Sequence, residues 1–222
     1  MDRVRLNANT EAIRGYRDAN PELRRAHHFL YDLPLKRGAG KPQVIVMGIN
    51  PGETQSDKDV CPGPTEETWD FDFHEKSRFR RSQSSVNWRR NADFFALGKP
   101  VVLTELFFWS SNNQTERKER FGQLWGSRHL RFCVDMNLSL LDAYKPKFVV
   151  FVGVTYSKRV AQEFGLRLID SLKDNNHRLA DHYEDRHRPW FFTKHWSGSF
   201  GFSRAQKEQI KTYIQDRTKS VG

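Results

Sequence analysis

Few residues are placed by type and spacing to do chemistry. Asn50 lies in "VIVMGINPGETQSD", Val44–Asp57, where an apolar run breaks into Gly-Ile-Asn-Pro-Gly. Pro51 fixes its own φ and cannot donate a backbone hydrogen bond, and Gly52 can take a positive φ, so Asn50 stands at a rigid corner. An amide there can cap the following turn, a common role for Asn. An amide is no general base. Glu105 lies in a second apolar run, and His195 ends a third, followed by Trp196, Ser197, Gly198 and Ser199. "SRFRRSQSSVNWRRN" sets five arginines, Arg78, Arg80 and Arg81 among them, beside Phe79 and Trp88. Cations and hydroxyls suit phosphates and exposed rings suit bases, although the same pattern fits an amphipathic helix with core aromatics. Glu53, Asp57 and Asp59 could gather around a divalent ion. In "HYEDRH" the i,i+5 pair His182 and His187 reads as a solvated face of a charged loop. Neither a Ser/His/Asp or Cys/His triad spacing, nor a P-loop, nor a dinucleotide fingerprint is legible.

The elements that must position these residues alternate. Asn20-Pro21 supplies an N-cap and an N1 proline for a helix over "PELRRAHHFLYDL". Strands are expected at Val44–Ile49, Lys99–Trp109, Lys145–Val154 and Arg188–Trp196, short runs rich in β-branched and aromatic residues. Between the second and third, "RHLRFCVDMNLSLLDAY" puts Leu130, Cys133, Val134, Leu138 and Leu141 on one helical face. "TYSKRVAQEFG" reads as a helix ending at Gly165. Ser203 and Gln206 form a capping box that opens a last helix. This order predicts an α/β fold, a three-layer α/β/α domain over 1–222 with a central four-stranded parallel sheet and an N-terminal helical segment, 1–40. Ligands of such sheets bind at the carboxyl ends of the strands. Three polar stretches fall there: Asn50–Asp57, Ser110–Gln114 and His195–Ser203.

Composition narrows the partners. With 222 residues the chain can bury one sizeable core. Its net charge of +10 favours acidic partners, nucleic acid first and an anionic membrane surface second. Two cysteines, Cys61 and Cys133, exclude a disulfide framework and a four-cysteine metal site. The first residues hold no apolar signal region and no run reaches membrane-spanning length. The expectation is a cytoplasmic monomer (nucleoid-associated if bacterial) without a membrane association.

Four features in order resemble the uracil-DNA glycosylase superfamily. Gly48-Ile49-Asn50-Pro51-Gly52 looks like its first motif and is closest to the GINPG of the mismatch-specific uracil/thymine DNA glycosylase branch. "VVLTELFFW" resembles the second strand. "LRFCVDMNLSLLDAYKPKFVVFVGVTYSKRV" resembles the helix, Pro-Lys and Leu-Gly strand of the thermostable branch. His195-Trp196-Ser197, followed by Ser203 and a helix, resembles the His-Pro-Ser motif. The match runs from Val44 to Ile214.

The resemblance implies a DNA-repair enzyme that hydrolyses the N-glycosidic bond of a damaged or mispaired base, with no metal and no cofactor. Asn50 would orient the water, and His195 would donate to a base carbonyl as charge develops there. Gly48, Ile49 and Glu105 would line the base. Phe71 and Phe73 follow the first motif at distances suited to stacking on it, or to core packing. Ser197, Gly198, Ser199, Trp196, Arg78, Arg80 and Arg81 would hold the DNA. Two positions depart from the family's pattern. Trp196 replaces Pro and offers a stacking ring. Glu105 stands where many members carry an Asn that reads uracil, and an ionised carboxylate only accepts hydrogen bonds. Both departures also fit a nucleic-acid-binding relative without the chemistry, and the acids Glu53–Asp59 fit a metal-dependent nuclease.

Overall fold

In the computed structural model the four expected strands form as five-residue segments buried at every position: β2 (Val44–Gly48), β4 (Val101–Glu105), β5 (Phe148–Val152) and β8 (Pro189–Thr193). Strands covered on both faces must be apolar throughout, and these are nearly so. The structure describes residues 2–26, 28–32, 43–50, 65–68, 90–111, 113–196 and 202–219. Two further strands, β1 (His28–Asp32) and β3 (Thr65–Thr68), pair in parallel as a small separate sheet.

The main sheet has six strands, not four. Its order is β4-β2-β5-β8-β7-β6, where β6 is Arg167–Asp174 and β7 is His177–Glu184. The first four run parallel as expected, while β7 joins β8 and β6 joins β7 antiparallel. The extra pair is a hairpin turned at Asn175 and Asn176, with φ of 44° and 66°. Asn tolerates that region better than most residues, and two successive positive φ values match the twist of a tight hairpin. His182 is therefore no loop residue: it lies buried in β7, stacked on Phe191 at 4.9 Å, and only His187 stays exposed.

The N-terminal helix also differs from expectation. Helix α1 (Arg3–Ala19) is capped by the Asp2 carboxylate, which accepts from Arg5 N at 3.1 Å. Pro21 opens only a 3-10 turn, Pro21–Arg25, because Ala26 is already extended. Helix α2 (Gln114–Phe121) follows β4, and α3 (Arg128–Tyr144) leads into β5. Helix α4 (Ser157–Phe164) follows a 3-10 turn and ends at Gly165 in the left-handed region, φ 64°. Helix α5 (Arg204–Thr218) opens with both bonds of the Ser203–Gln206 capping box.

On α3 the buried stripe is Leu130, Cys133, Val134, Asn137, Leu140 and Leu141, whereas Leu138, expected inward, is exposed. Residue 137, at i+7 from 130, keeps the stripe; residue 138 lies a further 100° around the helix. Buried Asn137 uses its place fully. Its Nδ2 donates to the carbonyls of Cys133 (2.9 Å), Glu105 (3.1 Å) and Leu106 (3.4 Å), fixing the exit of β4 to the helix. Beyond that exit, Leu106–Trp109 is packed as tightly as a strand. Trp109 meets Phe107 edge-on at 4.2 Å and His129 at 5.3 Å, and Tyr16 from α1 donates to or accepts from His129 Nδ1 at 2.9 Å. No helix among the described residues is long and apolar enough to cross a membrane.

Candidate active site at the carboxyl ends of the parallel strands

In chain order the parallel strands run second, first, third, fourth across the sheet, so the connections leaving β2 and β5 diverge to opposite sides. That is the switch point where an open sheet leaves a crevice at its carboxyl edge. The ladder there is closed to its last rung: Leu106 N donates to Gly48 O (2.8 Å) and Phe107 N to Ile49 O (3.0 Å). Asn50 is thus the first β2 residue past the paired region, on a base that cannot slip.

The Asn50 amide has a defined orientation. Nδ2 donates to the Ser111 carbonyl (3.2 Å) and to Ser111 Oγ (3.1 Å), and Oδ1 accepts from Arg117 Nη1 (3.3 Å). A carbonyl only accepts and a guanidinium only donates, so the two amide ends cannot be exchanged. Arg117 sits on α2, whose inner face is Arg117 and Phe121, one turn apart. It is 5% exposed, and among the described residues no carboxylate pairs with it. Desolvation lowers its guanidinium below the ordinary range, while Tyr156, at the end of the turn after β5, acts in the opposite sense. A buried cation with no countercharge favours an anionic or electron-rich group in contact with it.

Glu105 pairs in register with Gly48. Neighbours at one register position of a parallel sheet project to the same face. Gly48 leaves a notch on that face that the Glu105 carboxyl occupies: a Cβ on Gly48 would lie 2.9 Å from Glu105 Cδ. Glu105 is 8% exposed, and its Oε2 is sealed from solvent with no hydrogen-bond partner among the described residues. Burial alone pushes this carboxyl up to about 8. At neutral pH it therefore carries its proton, and the objection that a carboxylate only accepts does not hold. A neutral acid offers one donor and one acceptor on adjacent atoms, the same pattern as an amide.

His195 follows β8, two strand spacings or roughly 10 Å across the sheet from β2. The residue as a whole is exposed, yet desolvation of its imidazole holds it below the ordinary value, so it is neutral above that range and can donate one N–H. Glu105, Asn50 and His195 thus stand in a row at the ends of β4, β2 and β8. Trp196 is not the exposed stacking ring expected. It is 6% exposed, stacks on Phe95 at 5.4 Å and donates Nε1–H to Thr193 Oγ1 at 2.9 Å, which makes it core. Gly48 is buried as a ladder residue and Ile49 is half-buried against the core. Phe71, Phe73, Arg78, Arg80, Arg81, Ser197, Gly198 and Ser199, with the acids Glu53, Asp57 and Asp59, lie outside the described residues.

Sequence reasoning missed Arg117 and Asn137, and it reached Ser111 only as part of the Ser110–Gln114 stretch. Asn137 was legible as the polar member of the α3 stripe, and Arg117 as the residue four before Phe121 on a helix with no other inward cation. No protein-family model matches the chain, and no curated protein matches it.

Proposed function

We propose that the chain is a DNA glycosylase-like enzyme, built on a three-layer α/β/α frame, that hydrolyses the N-glycosidic bond of a deaminated or mispaired base. The reading rests on one observation: Asn50, at the end of β2, carries an amide of fixed orientation, and the neighbouring strand ends in a buried carboxyl whose sealed Oε2 has no hydrogen-bond partner among the described residues. In the reaction a water oxygen bonds to C1′ while the C1′–N bond breaks, its electron pair leaving with the base. The proton lost by the water ends on the base or in solvent. Positive charge grows on the sugar and negative charge on the base, so position and donors matter more than a strong base. Asn50 Oδ1, already accepting from Arg117, would orient the water without activating it. Neutral His195 and protonated Glu105 would donate to base carbonyls. Arg117 would hold Asn50 and add a cation to the side where a phosphate or the departing base lies.

The engagement of both ends of the Asn50 amide also favours a second reading, a nucleic-acid-binding protein without turnover. One experiment separates them. Oligonucleotides carrying uracil, thymine mispaired with guanine, hypoxanthine, xanthine or ethenocytosine are incubated in EDTA with wild type, Asn50→Ala and Arg117→Gln, then treated with alkali. Alkali-labile product from one substrate, reduced in Asn50→Ala and by ~100-fold in Arg117→Gln through misplacement of the amide, is the expected result. Retention of every oligonucleotide without cleavage leaves the binding protein.

A further inference from the structure

On the reading that this crevice receives nucleic acid, we propose that Arg117 is a phosphate subsite, whose Nε and Nη2 hold one backbone phosphodiester of the bound strand. The geometry that carries this is a buried guanidinium of which the fold uses only one corner. Nη1 donates to Asn50 Oδ1 at 3.3 Å, and Arg117 makes no other side-chain hydrogen bond among the described residues. Nε and Nη2 lie along one edge of the guanidinium with parallel N–H bonds, a fork that matches two oxygens of a phosphate. Neither nitrogen is among the partnerless atoms sealed from solvent, so the fork stays open to a ligand.

The other arginines supply the comparison. Arg188, the other arginine buried among the described residues, meets Asp185 at 3.4 Å and donates to the Leu141 carbonyl. Half-buried Arg120, Arg178 and Arg217 hold the carboxylates of Glu116, Asp181 and Asp170. Arg117 is as buried as Arg188, yet its hydrogen-bond partner is a neutral amide. Holding Asn50 takes one N–H, which a neutral side chain would supply without desolvating a charge. The charge and the open fork are therefore surplus to that task, and an anion in contact with them offsets the desolvation. No acid of α2 competes for the fork: the helix buries only Arg117 and Phe121, and Glu116 is held by Arg120. Past Tyr156, which acts electrostatically on Arg117, α4 opens with exposed Lys158 and Arg159, a basic path for the adjoining phosphates.

The test measures Kd in EDTA, across a range of salt concentrations, for a single-stranded oligonucleotide carrying 2′-fluoro-2′-deoxyuridine, whose fluorine slows glycosidic cleavage. Wild type, Arg117→Gln and Arg117→Lys are compared, each checked for native circular dichroism. Losing a two-pronged bond to a charged group should weaken binding ~30-fold in Arg117→Gln. One fewer released counterion should also make log Kd less steep against log salt, by about 0.7. Arg117→Lys keeps the charge without the fork, so it should keep the slope and lose part of the affinity. Asn50→Ala keeps the fork and should keep the wild-type slope, which separates phosphate binding from placement of the amide. Single neutral methylphosphonate linkages then locate the contact: one of them should weaken wild type and leave Arg117→Gln unchanged. Parallel salt slopes in wild type and Arg117→Gln, or the same linkage profile in both, overturn the proposal even where 2′-deoxyuridine loses its base. A linkage coupled to Arg117 without base release supports the proposal while removing the glycosylase reading. Failure of wild type to bind the oligonucleotide overturns both.

Discussion

Replacing Glu105 by Gln should make the protein more stable, and the gain should grow with pH. The carboxyl rises from an ordinary 4.5 to about 8 because folding strips its water and supplies no donor to its Oε2 among the described residues. A group raised in the folded state contributes fully below its unfolded value, and that contribution is lost as pH rises through the folded value. Each pH unit over which only the folded chain holds the proton lowers stability by about 1.4 kcal/mol. From pH 4.5 to pH 7 the wild type should lose about 3 kcal/mol, and by pH 9 the loss should level off at about 5 kcal/mol. Gln keeps the shape of the neutral acid and has no proton to lose. The two proteins should therefore match near pH 4.5, and the variant should melt roughly 6–12 °C higher at pH 7 for a chain of this size. Urea and thermal unfolding at half-unit steps from pH 4.5 to 9, followed by tryptophan fluorescence, read this directly. Parallel stability curves for the two proteins would refute the argument, since they would mean that Glu105 ionises in the folded state as easily as in the unfolded one. A stabilising substitution at a conspicuous position is also the mark of a residue kept for what it binds.

Trp196→Ala should destabilise by about 3–5 kcal/mol, as a buried ring stacked on Phe95 and bonded to Thr193 is removed. An unfolding midpoint within error of wild type would return Trp196 to the surface. Asp170 accepts from Tyr213 and pairs with Arg217, which hold its carboxyl below the ordinary range despite partial burial. Because that carboxyl is partly exposed, Asp170→Asn should cost only about 1 kcal/mol. The difference should be present at pH 7 and vanish as pH falls through the lowered value; urea midpoints at pH 7 and pH 3 check it.

The four parallel strands were legible because strands buried on both faces are short apolar runs, and "VIVMG" and "FVVFV" can hardly be anything else. Gly165 and the Ser203–Gln206 box were legible because caps act through local chemistry. The hairpin was not. Its outer strand, "RLIDSLKD", is exposed or half-exposed along its length and so carries no apolar pattern, and its turn uses two asparagines where Gly is the usual sign. At the site, Asn50 and Glu105 could be placed from the strand ends alone. What chemistry Glu105 presents could not, since its proton depends on burial from every side, and sequence carries only the residue type. Trp196 was misread for the same reason. An aromatic after a strand is as apt to fold back on Phe95 as to face solvent, and only packing decides.

The hairpin has one more consequence, for self-association. Without β6 and β7, the rim of the main sheet would be β8, whose five residues are all buried here and whose outer backbone groups would face solvent unpaired. A flat apolar rim of that kind recruits a second copy of itself. The hairpin replaces it with a strand carrying Arg167, Asp170, Lys173 and Asp174, latched to the last helix through Asp170 and Arg217. The 22 residues from Arg167 to Arg188 thus cover that rim on the side of the sheet opposite Glu105.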